Sequence, residues 1–209
     1  MGLDFLETVK LKDGKLLHWE WHRLRMEETL FHFYHYSPPE SFFKPVLEGI
    51  ERGDFPLNGE FRYRIAYNRS GIFQIETLPV PCRQFRKLGI VEVERINYRF
   101  KFLNRRRLEQ IKNRFGGVDE IIIVLNRLVT DTTISNLAFW DGREWLTPST
   151  YLLNGTTRRR LLEEKILREE VITLSDLPFF QKVTLLNALL PFPLPYSPEL
   201  VLKRKKWVK

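Results

Sequence analysis

The stretch DEIIIVLNRLVTDTTISNLAFWDGREWLTP, residues 119–148, decides the fold class. DEIIIVLN at 119–126 carries a continuous apolar run. Successive strand residues point to opposite faces, so this strand is apolar on both and is buried between two layers. Short strands follow at 128–131 and 136–140, and Asp141-Gly142 turns the chain into a further one at 144–146. Several short strands gathered around a doubly buried one call for a sheet-centred lobe.

Working outward, residues 101–115 place Leu108, Ile111 and Phe115 on one helical stripe, and 88–96 reads as a strand. On the other side a helix begins near Thr156, 171–174 reads as a strand, and VTLLNALL at 183–190 follows a polar turn. Pro79, Pro81 and Cys82 mark a linker. Before it, residues 5–18 alternate loosely around the turn signal Asp13-Gly14. Leu24, Leu30, Phe31 and Tyr34 recur at helical spacing between His22 and Tyr36, until Pro38-Pro39 ends that helix. Phe42, Phe43, Val46, Leu47 and Ile50 mark a second helix, closed by Gly53. Residues 60–67 alternate strictly, with Phe61, Tyr63, Ile65 and Tyr67 on one face, and 72–77 returns through Asn68 to Gly71. The expected class is α+β/mixed α/β in two lobes: a small N-terminal lobe at 1–78, a linker at 79–86 and a larger C-terminal lobe at 87–209.

The chain has 209 residues, 43% of them hydrophobic, which is enough to build a core and excludes general disorder. No apolar run reaches the length of a membrane span, and the N-terminus lacks a signal-peptide core, so no membrane partner and a cytoplasmic location are expected. Cys82 is the only cysteine, which excludes an internal disulfide and a multi-cysteine metal site. The net charge of +8 suits either nucleic acid or small anions. A nucleic-acid module would expose its aromatics for stacking. Here they fall on apolar stripes at 31–43 and 61–73, so no nucleic-acid partner is expected. The basic tail KRKKWVK reads as a solvated, frayed end.

Four segments carry chemistry. Gly155 before Thr156 and Thr157 opens a helix whose amides and hydroxyls suit an anion. Arg25 follows His22 by one helical turn, and a guanidinium holds a phosphate by two parallel hydrogen bonds. Asp131 is a carboxylate placed by a strand. Lys101, between Phe100 and Phe102 at a strand-to-helix junction, is an amine whose apolar flanks lower its pKa. Each alone also reads as an ordinary cap, surface arginine, turn aspartate or solvated lysine.

In order along the chain, HRLRM at 22–26, Lys101, VTDTTISN at 129–136, Thr147-Pro148 and Gly155-Thr156-Thr157-Arg158 resemble the class IV aminotransferase family, the fold-type IV pyridoxal-phosphate enzymes. Within it, KFLNRRRLEQ at 101–110 and LNALLPFPLP at 186–195 are most similar to the aminodeoxychorismate lyases. The resemblance implies pyridoxal 5′-phosphate as cofactor and a homodimer with the cofactor between the lobes. It makes Lys101 the catalytic Schiff-base lysine and sets Asp131, where the family usually has Glu, against the pyridine nitrogen. Arg25, Thr156 and Thr157 hold the phosphate, and Thr8, Asn187 and Ala188 lie near substrate or cofactor. The implied reaction is release of pyruvate and 4-aminobenzoate from 4-amino-4-deoxychorismate, a small anionic substrate of folate biosynthesis. The alternatives are a class IV aminotransferase acting on D- or branched-chain amino acids and a degenerate member kept as a structural protein. No metal is expected.

Overall fold

The computed structural model describes residues 3–53 and 58–207; Met1, Gly2, residues 54–57, Val208 and Lys209 lie outside the described residues. Two compact units divide the chain. The first runs to Cys82 and includes Phe100–Asn104; the second holds Arg83–Arg99 and continues from Arg105.

In the first unit, strands β1 (Phe5–Lys12), β2 (Lys15–Leu16), β3 (Glu60–Asn68) and β4 (Gly71–Pro79) form an antiparallel sheet in the order β2-β1-β3-β4. Asp13 and Gly14 both take positive φ, at 47° and 76°, the tight hairpin geometry that the Asp-Gly pair favours. Phe5, Val9 and Leu11 face Tyr67, Tyr63 and Phe61 in register, and this face packs on α1 (Trp19–Tyr34) and α2 (Glu40–Glu51).

Helix α1 corrects the expected stripe. It starts three residues before His22, and two residues of the expected apolar stripe are outside: Phe31 is 57% exposed and Leu24 38%. The helix buries His22, Arg25 and Thr29 with Met26 and Leu30. A mixed polar and apolar face goes inward because β1 presents a carboxylate to it.

The second unit has two four-stranded sheets. One orders β12 (Glu199–Trp207), β5 (Lys87–Val93), β6 (Glu120–Leu125) and β7 (Leu128–Thr132). The other orders β10 (Leu167–Glu170), β9 (Trp145–Pro148), β8 (Asn136–Trp140) and β11 (Lys182–Leu186). β6 is buried on both faces, as its sequence requires. Ile122 and Val124 join the core shared with β8 and β11, while Ile121 and Ile123 pack with Leu108, Ile111 and Phe115 around α3 (Arg106–Asn113). Helix α4 (Thr156–Glu163) packs Leu161 with Ala138 and Leu186.

Three expectations change. The tail is not frayed through Trp207, because β12 pairs parallel with β5 up to Trp207↔Val93. The strand expected at 171–174 is reduced to a single antiparallel bridge, Leu128↔Thr173, and a strand forms just before it at Leu167–Glu170. The Val129 amide donates to the Ile172 carbonyl and the Leu174 amide to the Arg127 carbonyl, at 2.9 and 3.0 Å, but the Thr173 amide and hydroxyl both go to the Asp176 carboxylate, at 2.8 and 2.7 Å, and the pairing ends there in a turn. Lys101 is not in a helix: α3 begins at Arg106, and Phe102 forms a β-bridge with Phe5.

Candidate functional site

β1 alternates Phe5, Glu7, Val9 and Leu11 on its inner face, so a carboxylate stands in an apolar row. Glu7 has no exposed surface. Helix α1 supplies its partners. Arg25 donates from Nε to Oε1 at 2.9 Å and from Nη2 to Oε2 at 2.5 Å, and His22 Nδ1 lies 2.7 Å from Oε2. Burial alone would raise the Glu7 carboxyl, but the Arg25 charge and the hydrogen bonds from His22 and Arg25 outweigh it and bring it to about 2. His22 is pushed down by burial against the pull of Glu7, and the Arg25 and Lys101 charges push it further. Burial, followed by the Glu7 charge, raises the neighbouring Tyr67 phenol.

Lys101 belongs to this same unit. The segment around it runs antiparallel to the start of β1: the Leu6 amide donates to the Lys101 carbonyl and the Leu103 amide to the Asp4 carbonyl, both at 2.9 Å. The Phe102 amide donates to the Phe100 carbonyl at 3.0 Å, a three-residue turn with Lys101 at its apex. Phe100 and Phe102 both pack on Phe33 of α1, with ring centroids 4.7 and 6.0 Å away. The turn therefore directs Lys101 away from that aromatic cluster. The first unit thus gathers Lys101, Arg25 and His22 around β1. Thr8 sits on the opposite face of β1 from Glu7, in register with Arg64.

In the second unit, Asp131 is buried near the end of β7. Its Oδ1 accepts Asn136 Nδ2 at 2.7 Å, and its Oδ2 accepts the Leu152 and Leu153 amides at 3.1 and 2.9 Å. Burial raises its pKa to about 7, against the lowering effect of these bonds and of the Arg158 charge. Among the described residues Asp131 has no ion-pair partner, since Arg158 is paired with Glu169. Asn136 also donates to the Leu153 carbonyl at 2.8 Å, and it packs on Gly155 so closely that a Cβ there would lie 2.0 Å from Asn136 Oδ1. Gly155 caps α4 with no capping side chain, with Thr156 buried and Thr157 half-buried behind it. Asn187 donates to Ser135 Oγ at 2.8 Å and accepts the Leu189 and Leu190 amides at 2.9 and 3.1 Å, while Ala188 lies half-buried in the same turn. Asp131, the α4 start and Asn187 are thus linked through the Ser135-Asn136 turn.

Sequence reading gave neither Glu7 nor Asn136 a role. The Glu7 signal was present: a carboxylate in register with Phe5, Val9 and Leu11 must find a cation.

The first unit thus holds a turn lysine and a buried arginine, and the second a buried carboxylate beside an open helix start. The chain belongs to the class IV aminotransferase family, whose profile matches residues 4–192. A Haemophilus influenzae protein of uncharacterised function is 32% identical over 184 residues, 88% of this chain and 96% of that protein. A crystal structure of a candidate 4-amino-4-deoxychorismate lyase from Haemophilus somnus is 29% identical with a TM-score of 0.81, covering 90% of this chain and 96% of the other. The fold IV transaminase of Curtobacterium pusillum matches at 18% identity and a TM-score of 0.75, over 99% of this chain and 80% of its own. The protein is therefore an enzyme, a lyase or an aminotransferase, of a pyridoxal-phosphate-dependent family. Among the described residues no helix is long and apolar enough to cross a membrane.

Proposed function

We propose that this enzyme is a 4-amino-4-deoxychorismate lyase that releases pyruvate and 4-aminobenzoate, acting in folate biosynthesis as a cytoplasmic homodimer. The observation that carries the choice of lyase is the Asn187 turn. It lies in the segment whose sequence most resembles the lyases, and its side chain fixes the loop by one bond to Ser135 and two from backbone amides.

The residues fit the cofactor. Asp131 is a buried carboxylate without an ion-pair partner among the described residues, which suits a protonated pyridine nitrogen. The α4 start suits a phosphate, because no capping side chain stands over its first turn. Bound pyridoxal phosphate supplies an electron sink for the pair left when a proton is removed beside the substrate amine.

Lys101 is the covalent anchor and, once displaced, the base that takes that proton. Its place at a turn apex gives the amine freedom to leave and return. Asp131 keeps the pyridine proton in place, held in orientation by Asn136 and two amides. Arg25, Thr156 and Thr157 hold the phosphate, and Glu7 fixes the plane of the Arg25 guanidinium. Thr8, Asn187 and Ala188 border the substrate. In the lyase the enolpyruvyl ether on the adjacent ring carbon leaves and the ring becomes aromatic, which drives the reaction.

The test is to supply the cofactor-loaded protein with aminodeoxychorismate and follow both products, with Lys101→Ala as control. Equal release of pyruvate and 4-aminobenzoate by wild type alone is expected. A yellow protein that yields neither, but exchanges amino groups between amino and keto acids, would make it an aminotransferase.

A further inference from the structure

The face of the first unit's sheet turned away from α1 and α2 carries a row of cations whose charges are unequally answered. Lys10 pairs with Arg62 across β1 and β3, and Thr8 with Arg64. Side chains directly opposite in a sheet share a face. Arg64 is answered by Glu76 at 2.9 Å. Lys10 and Lys12 are both answered by Glu60, at 2.7 and 3.2 Å. Arg62 stands opposite Leu78 on β4. Among the described residues it has no ion-pair or hydrogen-bond partner, and its Nε is shielded from solvent with nothing to donate to.

A half-buried guanidinium with an unanswered donor is costly unless an anion completes it. Nothing about the fold requires a charge there: β3 would pair equally well with an apolar residue beside Leu78. Lys101 is turned away from the helix-side aromatics, and its backbone lies opposite Leu6. Leu6 is four residues from Lys10 along β1, about 13 Å at the rise of a strand. Lys101 and Arg62 flank β1 on opposite sides, so their backbones are also two strand spacings apart, about 10 Å, a separation that two long side chains and one small ring can span.

We infer that Arg62 binds a carboxylate of the substrate, the one remote from the reacting amine. This rests on the lyase reading for the identity of the acid, in which the ring carboxylate lies para to the amine. Arg62 is then a specificity residue: it selects ring acids over neutral rings and takes no part in proton transfer.

The experiment compares 4-aminobenzoate with its neutral amide, 4-aminobenzamide, as ligands of the cofactor-loaded protein, by calorimetry and by perturbation of the cofactor absorbance. Wild type is expected to prefer the acid. Arg62→Ala should weaken acid binding about ten- to a hundredfold and leave the amide unchanged. Arg62→Lys, the variant less disruptive to folding, should recover part of the loss, and with substrate KM should rise while kcat holds. Equal loss for both ligands, an unchanged preference in Arg62→Ala, or no preference in wild type would overturn the inference. Failure of the lyase reading shows separately, as absence of 4-aminobenzoate from wild type with substrate, while the acid-against-amide comparison still reads Arg62.

Discussion

Arg25 and Glu7 meet fork to fork, Nε to Oε1 at 2.9 Å and Nη2 to Oε2 at 2.5 Å, across eighteen positions of sequence and almost wholly out of water. A buried pair of this kind adds little net stability when whole, because desolvation offsets the attraction, but removing one partner strands the other charge. Glu7→Ala is therefore expected to destabilise the protein by about 3–5 kcal/mol, read from urea denaturation. Glu7→Gln keeps the shape and one acceptor and should cost less. It should still weaken pyridoxal phosphate more than unphosphorylated pyridoxal, since it loosens the guanidinium that the phosphate meets. Equal weakening of both would mean that Glu7 only supports the fold.

Asp131 and the Glu7–His22 pair drive pH dependence in opposite directions. Burial raises Asp131 to about 7 from 3.8. The folded form then binds the extra proton between those values, so this group's contribution to stability is fully present below about 3.8 and is lost as pH rises through about 7. His22 is lowered from 6.5 and Glu7 from 4.5 to about 2. Their contributions are present at neutral pH; that of His22 declines as pH falls below 6.5, and that of Glu7 as pH falls from 4.5 toward 2. Melting the cofactor-free protein from pH 5 to 8, with Asp131→Asn beside it, separates them. Wild type should lose stability relative to the variant as pH rises through 7. Parallel curves would mean that Asp131 is not raised.

Gly155 is required by closeness rather than by backbone angle. Its φ is −68°, open to any residue, but an added Cβ would sit 2.0 Å from Asn136 Oδ1. Asn136 cannot step aside cheaply, because its amide nitrogen is held by Asp131 at 2.7 Å and by the Leu153 carbonyl at 2.8 Å. Gly155→Ala should therefore displace Asn136, release one bond to Asp131 and move the α4 start. A drop in melting temperature together with at least tenfold weaker cofactor binding is expected from absorbance titration. Unchanged binding would show that the helix start and the Asp131 network are independent.

The parts of this fold legible in sequence are those whose signal is local. β3 alternates because one face is buried, β6 is a continuous apolar run because two layers cover it, and Gly-Thr-Thr marks the start of α4. What escaped reading depends on partners distant in sequence. His22 and Arg25 lie on α1 where an apolar stripe belongs, and only Glu7, fifteen and eighteen residues earlier, makes that face buriable. Phe31 looks like core by spacing and is exposed. β10 escaped because Leu167–Glu170 is charged, at home only on the edge of a sheet, and is placed there by β9. For the site, the motif residues were visible singly, whereas Asn136, which joins Asp131 to Gly155, carried no signal beyond its place in VTDTTISN.

Asn187 makes the last prediction, because its side chain does three things at once. Nδ2 reaches Ser135 Oγ at 2.8 Å, and Oδ1 closes a turn by accepting the Leu189 and Leu190 amides. An alanine there leaves two amides and a hydroxyl to water and frees the segment running on to Pro191. The α4 start and Asp131 keep their own bonds, so pyridoxal phosphate should bind to Asn187→Ala nearly as it does to wild type. Substrate turnover should fall at least tenfold, with KM rising more than the cofactor dissociation constant. Ser135→Ala removes the hydroxyl that Nδ2 reaches and leaves Oδ1 on both amides, so it separates the two roles. Activity near wild type in Ser135→Ala would assign the effect to the turn, and activity as low as in Asn187→Ala would assign it to the link with Ser135.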